Sequence, residues 1–178
     1  GTTTTTTVAL TMPSLGTNPA STVFAINETS SGNYLQANGT LGASAVWQTS
    51  SVWGIPVVQI GTPSISLTFK MKARNGDSVE TTWSNSVSVT SLAAVPSTFT
   101  AGGVTVTTIT LTASEVFQNS NPDAVTYAFY ENGSSQYVQA NGSLGASAIW
   151  QTRAQWTNVV ISGLSQNTNY TFKAKAKN

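Results

Sequence analysis

Residues Tyr34 to Thr49 read YLQANGTLGASAVWQT, and Tyr137 to Thr152 read YVQANGSLGASAIWQT. Of the 16 positions 13 are identical, and the others exchange Leu for Val, Thr for Ser and Val for Ile. The offset of 103 holds without a gap from Phe24 and Tyr127, through Trp53 and Trp156 and Phe69 and Phe172, to Asn75 and Asn178. Upstream it falls to 101, where Val8-Ala9-Leu10 matches Ile109-Thr110-Leu111. Two residues are therefore inserted in the second copy near Gln118 to Asp123, as a surface loop tolerates. A chain that repeats itself this closely is expected to fold as two like units. The expected boundaries are 1–92 and 93–178.

Each copy is written in strands. Val8, Leu10 and Met12 alternate with polar or small residues, as do Ile109 and Leu111. Leu67, Phe69, Met71 and Ala73 alternate with Lys70, Lys72 and Arg74, and Tyr170, Phe172, Ala174 and Ala176 alternate with Lys173, Lys175 and Lys177. Period-two alternation places one set on a core and the other in solvent. Asn38-Gly39, Asn75-Gly76, Asn132-Gly133 and Asn141-Gly142 punctuate the runs and predict type I′ hairpin turns. No stretch keeps a 3.6-residue period. Short strands with turn signals at this spacing predict an all-β fold, two antiparallel β-sandwiches in tandem.

The same residues resemble the fibronectin type III pattern. Gly163-Leu164-Ser165-Gln166-Asn167-Thr168-Asn169-Tyr170-Thr171-Phe172 is similar to the family's corner before its sixth strand, F. The resemblance implies a tyrosine corner at Tyr170, its hydroxyl bonding back to the turn. The matching residue of the first copy is Leu67, so that corner must be held differently. Residues from Lys72 through Trp83 to Val89 resemble the F–G loop and strand G, and Pro96 to Ala101 resembles a Pro-led strand A. Leu10, Met12 and Leu111 lie where the family commonly has a strand-B Trp. The family implies an extracellular module, here of a bacterial or archaeal surface or secreted protein.

Extending the offsets pairs Gly1 with Gly102 and Asn75 with Asn178, so Gly76 to Ala101 occurs once. The first sandwich is expected to lack most of strand A and the second to lack strand G. Either the chain is a piece of a longer array, or a strand passes between subunits. Thr2 to Leu10 is β-prone and nearly uncharged, which makes Thr5, Thr7, Val8 and Leu10 candidate donor-strand residues.

Composition narrows function. Charged residues make up 7% of the chain, with Lys+Arg 7 and Asp+Glu 6, against about 25% in an ordinary soluble domain. The net charge of +1 argues against nucleic acid, whose binding rests on a basic patch. Cysteine and histidine are absent, which removes thiolate metal sites, disulfides and His-based catalysis. No apolar run approaches the length of about 18 residues that a membrane helix needs. Thr and Ser in place of charge suit a secreted or surface protein.

The residues that remain divide by chemistry. Glu28, Asp77, Glu80, Glu115, Asp123 and Glu131 are scattered and predict no catalytic pair, so no enzyme and no cofactor are expected. Asn119, Asn121 and Asp123 alternate in one loop, which is weak for calcium and ordinary for turns. Arg74-Asn75-Gly76-Asp77 sits where some relatives present an adhesive tripeptide, but Asn-Gly is already a turn. Tyr34, Trp47 and Trp53, with Tyr137, Trp150 and Trp156, either pack the core or form an assembly or sugar-stacking patch recurring every 103 residues. The lysines read as a solvated stripe. Asn27, Asn38, Asn132, Asn141 and Asn169 each begin Asn-X-Ser/Thr and are candidate glycosylation sites. The function these features predict is a structural module in spacing and self-assembly, with self-association or neighbouring repeats as partner. The alternative is an accessory carbohydrate-binding or adhesive module that takes a polysaccharide.

Overall fold

The computed structural model describes residues 2–114, 117 and 119–178. Glu115 and Gln118, one an acid weighed above and the other in the inserted loop, lie outside the described residues, as does Gly1. The chain divides into two compact units, Gly1–Leu92 and Ala93–Asn178.

The first unit contains β1 (Thr7–Ala9), β2 (Val23–Glu28), β3 (Tyr34–Leu35), β4 (Leu41–Gly42), β5 (Gln48–Thr49), the single helical turn α1 (Ser50–Trp53), β6 (Val57–Gln59), β7 (Ser66–Arg74) and β8 (Val87–Thr90). β1 pairs with β6, and the second sheet runs β4-β3-β2-β7-β8, with β5 also on β2. The second unit contains β9 (Thr100–Gly102), β10 (Ile109–Thr112), β11 (Thr126–Glu131), β12 (Gln136–Val138), β13 (Leu144–Gly145), β14 (Gln151–Thr152), β15 (Asn158–Ile161) and β16 (Phe172–Lys177). One sheet runs β15-β10-β9; the other runs β13-β12-β11, with β14 and β16 also on β11. All the pairings are antiparallel.

Registers repeat with the sequence. Val8 lies opposite Val58 and Ile109 opposite Ile161, so the 101 and 103 offsets meet across one ladder. Glu28 lies opposite Phe69 and Glu131 opposite Phe172. Lettered by chain order, each unit carries B and E in one sheet and C, C′ and F in the other. The second unit adds strand A (β9), and the first adds strand G (β8). Among the described residues, β1 has no A neighbour and β16 no G neighbour. These are two tandem fibronectin type III-like antiparallel sandwiches.

Each unit has its own core. Val8, Leu10, Phe24, Ile26, Leu35, Trp53, Val58 and Phe69 pack together in the first. In the second, Leu111, Phe117, Tyr127, Phe129, Val138, Trp156 and Ile161 do so, with Phe172 packed against them. Phe99, just ahead of β9, adds edge-on contacts at 4.9 Å to Phe129 and 6.1 Å to Phe117.

Two expectations are corrected here. Val8 and Leu10 are buried in their own unit, and Thr7 and Val8 pair with β6. Ile60 and Gly61 N–H donate to the Thr6 carbonyl at 2.8 and 3.1 Å. Thr7–Ala9 is thus strand B of its own sandwich and not a free donor, since its backbone is paired and Val8 and Leu10 are buried there. Nor are the Asn-Gly turns type I′. Gly39 and Gly142 have positive φ (86° and 81°), but Asn38 and Asn141 do not. Tertiary contact decides the geometry, since Gln59 N–H donates to Gly39 O and Ser162 N–H to Gly142 O, at 2.8 and 3.1 Å. At Asn75-Gly76 and Asn132-Gly133 the positive φ falls later, on Ser78 (63°) and Ser135 (58°).

Candidate functional site

The alternation of β7 and β16 aims their apolar residues at the core and their cations outward. On the outer face of the first unit, Arg74 lies 4.3 Å from the Trp47 ring centre, and Lys72 lies 5.8 Å from it. Lys70 and Lys72 lie 4.7 and 4.8 Å from the Trp83 ring centre, and Tyr34 is 6.4 Å from Trp83. Glu80 closes this group by ion-pairing with Lys72. In the second unit Lys173 sits 4.8 Å over Tyr130, Lys175 5.0 Å over Tyr137 and 5.3 Å over Trp150, and Lys177 5.4 Å over Trp150. Tyr130 and Tyr137 meet edge-on at 5.0 Å. Cation–π contacts of this kind contribute about 0.5–1 kcal/mol at exposed positions. The same outward face thus recurs in both units, with cations and rings interleaved.

The six aromatic residues singled out in sequence separate. Tyr34, Trp47, Tyr137 and Trp150 are half-buried on this outer face. Trp53 and Trp156 are not part of it; they are core residues, 7% and 1% exposed. Each indole N–H donates to a β2 or β11 carbonyl, Trp53 to Phe24 O at 2.9 Å and Trp156 to Tyr127 O at 2.8 Å. A buried indole needs such an acceptor, and the chain ahead of β6 or β15 turns it onto strand C. Sequence reasoning missed Trp83 and Tyr130 as members of the face. The signal was present in the lysine alternation, because an outward lysine row needs outward neighbours on the flanking strands.

On the second unit's face a cavity opens between the rings and the lysines. Tyr130, Tyr137, Lys173, Ala174 and Lys175 line an open cavity of about 310 Å³. Lys175 Nζ donates to the Tyr137 hydroxyl at 3.1 Å, where its counterpart Lys72 holds Glu80.

Glu28 and Glu131 serve the fold. Glu28 is buried and accepts from Ser30 N–H at 3.0 Å and from Ser31 N–H and hydroxyl, both at 2.7 Å. Burial pushes its acidity down, but these donors outweigh it and lower the pKa from 4.5 to about 2. Glu131 does the same for the second hairpin. Burial opposes its ionisation, and donors from Ser134, Gly133 and Thr171 overcome it and lower its pKa. Asp77 lies in an exposed turn, its N–H donating to Asn75 Oδ1 at 3.1 Å. Among the described residues no three His, Cys, Asp or Glu side chains gather as metal ligands. Asn121 is buried and clasps Ala94, accepting its N–H at 2.8 Å and donating to its carbonyl at 2.9 Å. Asn119 donates to Val95 O at 3.0 Å. Both asparagines tie down the start of the second unit.

Tyr170 accepts Ser165 N–H at 2.8 Å on its hydroxyl, closing the turn as a tyrosine corner does. Leu67 has no hydroxyl, and in the first unit Ser91 supplies the hold. Its Oγ accepts from Ile65 N–H at 3.0 Å and donates to Thr62 O at 3.2 Å. Of the five Asn-X-Ser/Thr positions, Asn38, Asn132, Asn141 and Asn169 are exposed. Asn27 is corrected. It is 5% exposed and its amide donates to Gly32 O and Asn33 O at 2.8 and 3.0 Å, so it is closed to a transferase.

No family model and no curated protein matches the chain. Among solved structures, it is similar to a two-domain fibronectin type III segment from chicken tenascin. The identity is 11% over 99% of this chain and 86% of that one, with a TM-score of 0.47. It is also similar to the central fibronectin-III array of RIM-binding protein, at 10% identity over 100% of this chain and TM-score 0.33. A third is the FN1–FN3 domains of chicken CNTN1, at 12% identity over 97% of this chain and TM-score 0.38. The chain spans 60% and 55% of the last two. Similarity at this level concerns fold alone. The class rests on the strand pairing above: an all-β chain of tandem fibronectin type III-like modules.

Proposed function

We propose that the chain is a structural module of an extracellular surface-layer or filament protein, acting in spacing and self-assembly. The observation that carries this reading is the recurrence of one outward face in both units at an offset of 103 residues. The part of the face the two units share is Tyr34, Trp47 and Lys72 in one and Tyr137, Trp150 and Lys175 in the other. It gives each unit a like set of side chains for a repeated weak contact, which is how arrays multiply such contacts. The sparse charge and threonine-rich surface support an extracellular setting, and among the described residues no helix is long and apolar enough to cross a membrane. Negative-stain microscopy and light scattering of the native material test it. Rods or filaments are expected, and a monodisperse globular species at every concentration overturns it.

The half-buried Tyr34 and Trp47, with Tyr137 and Trp150, also favour a second reading, an accessory module that stacks polysaccharide on these rings. Polysaccharide pull-down with Trp150→Ala decides it. Binding that survives the substitution counts against this reading, while Trp156→Ala would report on folding.

A further inference from the structure

The four Asn-Gly pairs of the chain are alike in sequence and unlike in surroundings. Such a pair can react with itself: the glycine nitrogen attacks the asparagine side-chain carbonyl carbon, and glycine has no Cβ to obstruct that approach. An N–H already given to an acceptor must break its bond first. Three of the four are so held. Gly39 N–H donates to Gln36 O at 3.0 Å and Gly142 N–H to Gln139 O at 2.9 Å, and both glycines are buried. Gly133 N–H donates to Glu131 Oε1 at 2.9 Å, where the carboxylate charge further disfavours loss of the proton.

Gly76 differs. Among the described residues its N–H has no acceptor, Asn75 and Gly76 are both exposed, and a Cβ added at Gly76 would meet nothing within 4 Å. The carbonyl it would attack is also prepared. Asn75 Oδ1 accepts from Asp77 N–H at 3.1 Å and from Val79 N–H at 2.9 Å. Two donors polarise the side-chain amide and stabilise the negative charge that grows on Oδ1 during attack. Asn38 and Asn141 accept in the same way from Thr40 and Ser143. The state of the glycine nitrogen therefore sets Asn75 apart.

We propose that Asn75 is a self-modification site, deamidated in the folded chain ahead of the other three, and that its conversion opens the F–G turn. Gly76 N gives its proton to hydroxide and bonds to Asn75 Cγ. The Cγ–Nδ2 bond breaks, and the amide nitrogen takes a proton from water and leaves as ammonia. Water then opens the resulting succinimide at either carbonyl, leaving aspartate or isoaspartate. The net change is water gained and ammonia lost, with no redox step. The new carboxylate cancels the formal net charge of +1. Isoaspartate also adds a methylene to the backbone inside a tight turn. That turn is held by Ser78 N–H to Asn75 O and Asn75 N–H to Val79 O, both 3.2 Å, and by a β-bridge between Arg74 and Glu80. Its opening releases the segment that carries Glu80 to Lys72.

The whole chain, incubated at mildly alkaline pH with and without denaturant and then mapped by mass spectrometry with fragmentation that separates isoaspartate from aspartate, tests this without any substitution. In the folded chain Asn75 is expected to convert about tenfold or more faster than Asn38, Asn132 or Asn141, since each of their glycines must first give up a hydrogen bond. In denaturant that lead is expected to vanish. Similar rates at all four positions in the folded chain overturn the proposal, as does an Asn75 that stays intact while the denatured chain converts. A lead for Asn75 that persists unchanged in denaturant overturns it too, because local sequence and not the fold would then set the order. Hydrogen exchange on the converted chain reads the second claim: the Val79 and Thr81 amides are expected to lose protection, and retained protection overturns the opening of the turn.

Discussion

Glu28 and Glu131 illustrate how two residues can hold a hairpin with charge and no counter-ion. Each ends its C strand and turns its carboxylate into the loop that follows, where it gathers serine donors. The pKa of Glu28 is lowered from 4.5 to about 2, so the folded state binds protons less readily than the unfolded chain. The stabilisation is therefore complete above about pH 4.5 and is lost as pH falls toward 2. Thermal melts between pH 6 and 2 should show a fall in Tm over that window, flattened in Glu28→Gln and Glu131→Gln. Each substitution is expected to cost about 1–3 kcal/mol near neutral pH, since a carboxylate accepting several N–H groups is replaced by a weaker acceptor. Gly39 and Gly142 give a second residue-level expectation. An added Cβ would stand 2.4 Å from Val57 O and 1.9 Å from Val160 O, at φ values an L side chain resists. Gly39→Ala and Gly142→Ala should each destabilise their unit by about 2 kcal/mol or more, read by denaturant titration, with Gly142→Ala the more severe.

At the level of elements, the two corners before strand F solve one problem in different ways. The second unit closes its turn with the Tyr170 hydroxyl. The first has Leu67 at that place and borrows Ser91, at the far end of strand G. Tyr170→Phe should cost the second unit about 1 kcal/mol, and Ser91→Ala, which strips the acceptor from Ile65 N–H, about 1–3 kcal/mol in the first. Urea unfolding of each variant checks both. The Tyr170 corner was legible in sequence because its partner is five residues away. The Ser91 corner was not, since 26 residues separate Ser91 from Ile65 and no local pattern marks the pair. The strands were legible for the same reason as Tyr170: alternation is local. Lys70, Lys72 and Arg74 announced their outward face, as did their counterparts in the second copy. What sequence did not reveal was which aromatics join them. Trp47 and Trp53 lie six residues apart, yet one reaches the surface and the other the core. That choice is made by α1, which turns Trp53 inward to the Phe24 carbonyl. The turn types were misread because Asn-Gly carries a local preference, whereas Gly39 and Gly142 answer to a strand far along the chain.

Across the whole molecule, the division of apolar contacts decides how the chain should unfold. One buried cluster draws on residues between Val8 and Phe69, and the other on residues between Leu111 and Leu164. Among the described residues neither cluster draws a buried side chain from the other's span, so each sandwich is expected to be its own cooperative unit. Trp156 is the sharpest probe. It is among the largest fully buried side chains, it packs edge-on against Phe129 at 5.4 Å, and it satisfies a β11 carbonyl. Trp156→Ala should remove about 3–5 kcal/mol, and that loss should fall on residues 93–178. Hydrogen exchange is the suitable readout: amides of β10, β11 and β15 should lose protection in the variant, while those of β2 and β7 keep theirs. Equal loss across both halves would mean that the two units unfold together.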